Sequence, residues 1–546
     1  MRVLKPDGTV ISAAPTQEQD SDVPAQMGDP VYSDRKVKRL SLTGVAPGTI
    51  VDYSYTREEL KPFLSGDFLQ TWGVTTGLRT MRSRLVVDVP ASLKVRLREE
   101  NLKFARVTQE ANGRKTYTWA TGGMEKTKGE AFASDSDGVT MAVYVGSPET
   151  WGDIAKWYAG NAKDRYVVGP VTQQKLDSAL TGKKTRTDTI AAVQQWVAQD
   201  IRYVSIALGL GGYQPRTPDS VVTTGFGDCK DKATLFVAAL KRYGITAFPV
   251  LLNSSGGVKR DLPTIDQFDH AIAAVQLPTG YQFVDLTSEF TPYGQLPPDE
   301  QGEFALVVHP DGSSEELTMP RDPADSNRSE THLVGRLNDD GTFDGVYTEE
   351  TRGAQQYGLR SAFENPLDST EKADGANNIA RKYFEGADGD SLTGFNGKDL
   401  TATPRLRVLI KHGKAATMAG STAIFTVPFG SAAALGTAAT ELEKKPRVYP
   451  IDAERIFGYR ESLVELRMAL PHGWKAQLPA NVNATSEFGS YVTEYAQEGD
   501  TLRITRRTKG TRGIYPQAKV HALADWFRAM GKDDVKLIVI LRPPQG

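Results

Sequence analysis

Apolar residues along this chain change their spacing twice, and the change decides more about its fold than any composition figure. From Val31 to about Val145 they alternate in short runs, such as residues 50–55 and 83–89, which is the period of a half-buried strand. The pair Asn112-Gly113 separates residues 104–107 from 116–119, and Asn-Gly between two such runs is the strongest short hairpin signal. At Trp151 the spacing becomes helical through Tyr158, and Ile190, Val193, Trp196 and Val197 fall on one helical face within residues 187–204. A polar, Pro-containing stretch from His309 to Glu330 reads as a linker. Beyond it, residues 331–337, the turn Asp339-Asp340-Gly341 and residues 343–349 form a hairpin pattern. Helical stretches are expected at 351–363 and 368–384, and strands at 406–410, 423–427, 463–468, 502–507 and 535–541. The chain shows no repeat of fixed period. The expectation is an α+β multidomain protein: a β-rich domain over 1–150, a mixed α+β core over 151–310, a linker over 311–330, and a β-rich region with a few helices over 331–546.

Length agrees with that division, since 546 residues at roughly 150 per domain imply three or four domains. Lys and Arg number 65 against 67 Asp and Glu, a net charge of −2, so no global basic field draws the chain to nucleic acid. The longest apolar runs, such as 537–541, fall far short of the ~18 residues of a membrane-spanning helix. The first residues lack the basic and apolar regions of a signal peptide. They read as a strand entering the Pro6-Asp7-Gly8 turn, as if the chain opened inside a domain, and an upstream piece is expected. The sequence contains a single cysteine, Cys229, which excludes an intrachain disulfide and a multi-thiolate zinc site.

Chemistry concentrates around that cysteine. Asp228 suits a helix N-cap and Asp231 follows three residues later, an acidic capping-box pattern, before an apolar helical face at Ala233, Phe236, Val237 and Leu240 that Gly244 closes. Cys229 then occupies the first helical position. The positive helix end and the neighbouring Lys230 and Lys232 favour a thiolate there, while Asp228 opposes it. A thiolate nucleophile needs an imidazole to move protons and a third group to orient the ring. Among six histidines, His270 starts a strand, and Asp285 lies in a second strand beyond the turn at residues 277–280. With a four-residue loop, Gln276 faces Tyr281 and His270 lies opposite Thr287. Asp285 is then its diagonal same-face neighbour at roughly 7 to 8 Å. A three-residue loop would move Asp285 to the other face.

The runs Trp196-Val-Ala-Gln-Asp-Ile-Arg-Tyr-Val-Ser205, Gly211-Gly-Tyr-Gln-Pro-Arg216, Gly227-Asp-Cys-Lys-Asp-Lys232, Phe268-Asp-His-Ala271 and Val284-Asp-Leu-Thr287 resemble the bacterial transglutaminase-like proteins of the papain-like superfamily. The N-terminal stretch, with Val31-Tyr-Ser-Asp-Arg35 and residues 151–158, looks like the uncharacterised β-rich domain that precedes the core in one envelope-associated subfamily. The resemblance implies a papain-like core and a catalytic triad carried by Cys229, His270 and Asp285. Leu286 departs from it, standing where the family commonly has proline. Family proteins of this kind usually carry a secretory signal, so a periplasmic or envelope location is implied by resemblance only.

Helix-start position and flanking charge favour Cys229 as nucleophile over a buried core thiol. Gln214 is the candidate second oxyanion donor beside the Cys229 backbone N–H, with a structural role in the Tyr-Gln-Pro turn as the competing reading. Arg216 is expected to pair with Asp219 or Asp228 rather than hold a substrate carboxylate, and Trp196 and Tyr203 to be core or cleft wall. The remaining histidines show no ligand spacing, so neither metal nor cofactor is expected. The reading is a thiol-dependent amide hydrolase or acyltransferase acting on a protein or peptide. The alternative is a catalytically silent scaffold that binds a polypeptide or glycan in the cell envelope.

Overall fold

The computed structural model describes residues 1–22, 31–74, 77–126, 129–134, 141–430, 433–533 and 537–543. Alternation in the first 150 residues produces short antiparallel sheets. One joins Ser83–Pro90, Arg114–Thr121 and Val107–Ala111, and another joins Leu69–Gly73, Ala142–Gly146 and Arg96–Glu100. Asn112 and Gly113 both take positive φ, 51° and 72°, as a two-residue type I′ hairpin turn requires. Tyr117, Trp119, Val143 and Val145 bury the inner faces of these two sheets. The strand expected at 50–55 is shorter, Ile50–Asp52, and residues 53–68 leave the sheet without regular structure.

Five helices and five strands form the central unit. The helices are α1 (Trp151–Ala162), α2 (Pro170–Ala179), α3 (Arg186–Asp200), α4 (Pro218–Thr224) and α5 (Cys229–Arg242). The strands are β1 (Ala247–Leu252), β2 (His270–Gln276), β3 (Tyr281–Val284), β4 (Phe304–Val308) and β5 (Ser314–Thr318), in the antiparallel order β3-β2-β1-β4-β5. Buried on both faces, β1, β2 and β4 lack the polar alternation of a solvated sheet. Ala273 and Val275 face α5, where they meet Leu235, Phe236 and Leu240. Ile272 and Ala274 face the other way and pack with Val250, Leu252, Phe283 and Leu296. The β2–β3 register is Gln276 opposite Tyr281, the four-residue loop geometry.

Residues 311–330 depart from the expected linker, because β5 lies inside them and completes the sheet. Leu317 and Met319 pack on the same core as Val307, two apolar anchors outweighed in the sequence by the polar residues around them. The helix expected over 351–363 also shifts: the strand Thr342–Arg352 runs into its start, and the helix proper is Gln356–Ala362.

The C-terminal region is built on an eight-stranded sheet in which Arg328–Leu337 pairs antiparallel with Thr342–Arg352 and parallel with Glu461–Ala469. A helix at Ser369–Tyr383, opened by an Asp368 and Glu371 capping box, packs against it through Ala376 and Ala380. The strand expected at 535–541 is Leu537–Leu541; Val535 and Lys536 lie outside the described residues.

Candidate active site

Helix α5 delivers Cys229 to the edge of the sheet. Asp228 caps it, accepting from the Asp231 N–H at 3.2 Å, and Gly244 follows its last turn at φ 71°. Position N1 leaves the Cys229 N–H without an intrahelical acceptor. The thiol is free and half-buried, packed beside Tyr213, Phe268 and Trp157.

The other half of the pattern at α5 differs from expectation. Asp231 does not close a capping box. Its carboxylate, 1% exposed, accepts from the Arg216 backbone N–H and from Arg216 Nε, both at 2.8 Å. Arg216 therefore pairs with Asp231, not with Asp219 or Asp228, and it stacks on Phe226 at 4.8 Å. Asp219 instead caps α2, accepting from the N–H groups of Gly169 and Thr172 at 3.1 Å each. The two lysines are committed elsewhere. Lys230 pairs with Asp228, and Lys232, fully buried, donates to the carbonyls of Ala198 and Ile201 at 3.1 and 2.8 Å. Burial pushes the Lys232 ammonium down to about 8.

His270 opens β2, opposite Leu252 of β1. Its imidazole is near enough to the Cys229 thiol for the thiol to help raise its pKa, and its Nε2 lies 3.4 Å from Asp285 Oδ1. Asp285 follows β3 directly and is 3% exposed. It accepts from the Thr287 N–H at 2.7 Å and from Thr287 Oγ1. Burial alone would lower the His270 pKa, but hydrogen bonds to Asp285, Cys229 and Glu300 outweigh it and hold the imidazolium well above its ordinary range. For Asp285 burial raises the carboxyl, and the His270 hydrogen bond and charge with the Thr287 donors reverse that and leave it lowered.

Glu300 belongs to this cluster and was not singled out from sequence. It lies on the turn before β4, is 2% exposed, and places Oε1 3.4 Å from the same Nε2. Burial, then the charge of Asp285, push its carboxyl up to about 8. Donor atoms of His270, Asp285 and Glu300 lie within 4.8 Å of one another, the one such convergence of metal-ligand types among the described residues.

The cleft wall also receives a part that sequence did not indicate. From the irregular stretch 53–68 of the N-terminal region, Phe63 packs on Tyr213 with ring centroids 4.9 Å apart, and its carbonyl accepts from Trp157 Nε1 at 3.0 Å. Leu64 joins the same packed cluster as Cys229. Gln214 donates one amide N–H to the Asn161 carbonyl at 3.1 Å. Trp196 is a core residue, packed with Leu235 and Val197. A pocket of about 1500 Å³ lies elsewhere, between residues 101–104, 120–126 and 129–132 and the segment around Leu442 and Arg447.

Residues 174–286 match the transglutaminase-like superfamily. The central domain is transglutaminase-like. On either side of this core, residues 1–123 match the domain of unknown function DUF3857 and residues 425–540 match DUF3858. The chain is similar over 99% of its length to a solved structure described as "a putative protease from Parabacteroides distasonis", covering 88% of that chain with a TM-score of 0.57 at 11% identity. This is a likeness of fold, and it extends through the transglutaminase-like core and both flanks. A second solved structure, "a putative cysteine protease from Cytophaga hutchinsonii", is matched over 46% of this chain and 89% of that one, with a TM-score of 0.23 and 14% identity. No curated protein matches the chain.

Proposed function

We propose that the protein is a cysteine-dependent enzyme that cleaves or transfers acyl groups at peptide or amide bonds. The observation that carries this reading is Cys229 at the first position of α5 beside a largely buried His270 whose Nε2 lies 3.4 Å from Asp285 Oδ1. Because Nε2 faces the carboxylates, Nδ1 is the atom left for the thiol. Before the first step the Cys229 proton passes to His270, giving the thiolate–imidazolium pair that the raised His270 pKa favours, and the Sγ thiolate then attacks the carbonyl carbon. The tetrahedral oxyanion takes the Cys229 backbone N–H, with the second Gln214 N–H as the companion donor. Collapse breaks the C–N bond, and His270 returns the proton to the departing amine. Water or an amine, deprotonated by His270, then attacks the thioester carbon and releases Cys229 as the thiol. Water makes the reaction a hydrolysis and an amine makes it a transfer.

Asp285 keeps the ring oriented and stabilises the imidazolium. The reading also divides the chain into a catalytic unit over 151–320, carried past 310 by β5, and β-rich flanks over 1–150 and 331–546. The Phe63 contacts support a part for the first flank in shaping the cleft. The test is a peptide-library digest and an amine-incorporation assay with wild type, Cys229→Ala and His270→Ala. Activity present in wild type and absent from Cys229→Ala is expected. Equal turnover by both would end the reading.

A further inference from the structure

His270 Nε2 has two carboxylate neighbours, and one N–H cannot serve both fully. Asp285 Oδ1 and Glu300 Oε1 each approach to 3.4 Å, long for a charge-assisted bond of about 2.7 to 2.9 Å, as a shared donor would be. Two buried carboxylates beside one imidazole do not both carry charge at low cost, so one retains its proton. Their surroundings decide which. Asp285 receives two donors from Thr287, which stabilise its anion. Glu300 Oε2 is buried and has no hydrogen-bond partner, so Glu300 is the poorer anion and the one that keeps the proton.

We propose that Glu300 is a positioning residue, a neutral carboxylic acid whose Oε1 stands against the Nε2 side of His270, next to Asp285, and so fixes the imidazole toward Cys229. The inference rests on the thiol-enzyme reading and adds a member to its site. Glu300 lies beyond residue 286, where the superfamily match ends. Its turn is fastened to the body of the domain. The Glu300 N–H donates to the Pro297 carbonyl at 3.2 Å. Gln301 Nε2 donates to the Leu296 carbonyl at 3.0 Å and to Asp322 Oδ2 at 2.8 Å, while Gln301 Oε1 accepts from the Asp322 N–H at 3.0 Å. Gly302 takes φ 82°, a conformation that L side chains rarely adopt.

The raised Glu300 pKa agrees with the neutral form, its causes being burial, the Asp285 charge and a hydrogen bond to Asp285. Charged and titratable groups facing it are His270 from β2, Asp285 from the end of β3, and Tyr357, which itself feels the charges of Asp322 and Asp299. Lys232 of α5 lies close enough to Asp285 for their charges to interact.

The experiment is the rate of Cys229 alkylation by iodoacetamide across pH 5 to 10 in wild type, His270→Ala, Glu300→Gln and Glu300→Leu, with circular dichroism to establish folding. His270→Ala should abolish the reactivity seen below the ordinary thiol range of ~8.5. Glu300→Leu, which frees the ring, should slow labelling at pH 6 on the order of tenfold. Glu300→Gln keeps a donor and an acceptor and should recover part of that loss. It should also lack the inflection that Glu300 ionisation gives wild type near pH 8. Glu300 variants that follow wild type at every pH, while His270→Ala does not, would overturn the positioning role alone. If His270→Ala also follows wild type, the thiol-enzyme reading falls and takes the role with it. Should Glu300→Leu fail to fold, the presence or absence of the upper inflection in Glu300→Gln decides.

Discussion

Glu300→Gln should gain stability over the wild type as the pH rises, and the size of the gain follows from where the carboxyl sits. In the folded chain Glu300 titrates at about 8, against an ordinary 4.5 that the unfolded chain restores. Between those values the folded state holds a proton that the unfolded state has released. The contribution of this group is therefore fully present below about 4.5 and is lost as the pH rises through about 8. At about 1.4 kcal/mol for each pH interval, the ceiling of the loss is ~5 kcal/mol. Glutamine cannot ionise, so the difference in unfolding free energy, variant minus wild type, should climb by up to that amount between pH 4.5 and 9. His270, whose folded pKa is raised, contributes stability that is also lost as the pH rises. Asp285, whose pKa is lowered, contributes stability lost only on acidification. Both groups are present in both proteins, so the difference isolates Glu300 to first order. Because unfolding of so large a chain need not be two-state, amide exchange at β2 and β3 should be followed, which reads the transglutaminase-like core apart from its flanks. Parallel pH dependences for the two proteins would refute the buried neutral acid.

Two further substitutions test the frame around the site. Asp231→Ala removes a buried carboxylate that holds Arg216 by two 2.8 Å bonds. It should cost about 3 to 5 kcal/mol, read as a fall in Tm, and a loss below 1 kcal/mol would show that Arg216 re-pairs freely. Lys232, fully buried and titrating at about 8 instead of 10.5, binds its proton more weakly folded than unfolded, so stability should rise between those pH values. Lys232→Met should abolish that rise in denaturation curves at pH 8 and 10.5, and leave the Ala198 and Ile201 carbonyls without their donor.

Local signals carried far where one short-range rule governed the outcome. The Asn112-Gly113 pair specified its turn, because both residues tolerate positive φ and few others do. The four residues at 277–280 set Gln276 against Tyr281, while Asp285, expected inside the second strand, directly follows its end at Val284. Asp228 at the start of α5 was legible for the same reason: capping depends on a neighbour three residues away. Where several partners competed, local spacing was not enough. Asp231 stood at the right offset to complete a capping box, yet the Arg216 guanidinium offers it a charged, two-point contact that a single neutral N–H cannot match. Arg216 had Asp219 within three residues, but Asp219 satisfies the start of α2, a contact across 50 residues that no window detects.

Glu300 marks the physical limit of such reading. Its neighbours in sequence, Pro297-Pro298-Asp299 and Gln301-Gly302-Glu303, describe a polar surface turn, and a glutamate in a surface turn is ordinarily charged and solvated. The turn is polar because Gln301 fastens it to Leu296 and Asp322, and Glu300, next to that fastening, turns inward. Composition thus reported the anchor and hid the group being anchored. The same reasoning applies to Phe63, an aromatic residue in an irregular stretch with no period to follow. Its place against Tyr213 and Trp157 is decided by contacts far apart in sequence, which local spacing does not reveal. A site assembled where a rigid helix start, a strand end and two loop excursions converge is therefore legible only in its first two parts. The loop-borne groups, Glu300 and Phe63, are the ones through which relatives sharing the same Cys, His and Asp frame could come to differ in proton affinity and in cleft shape.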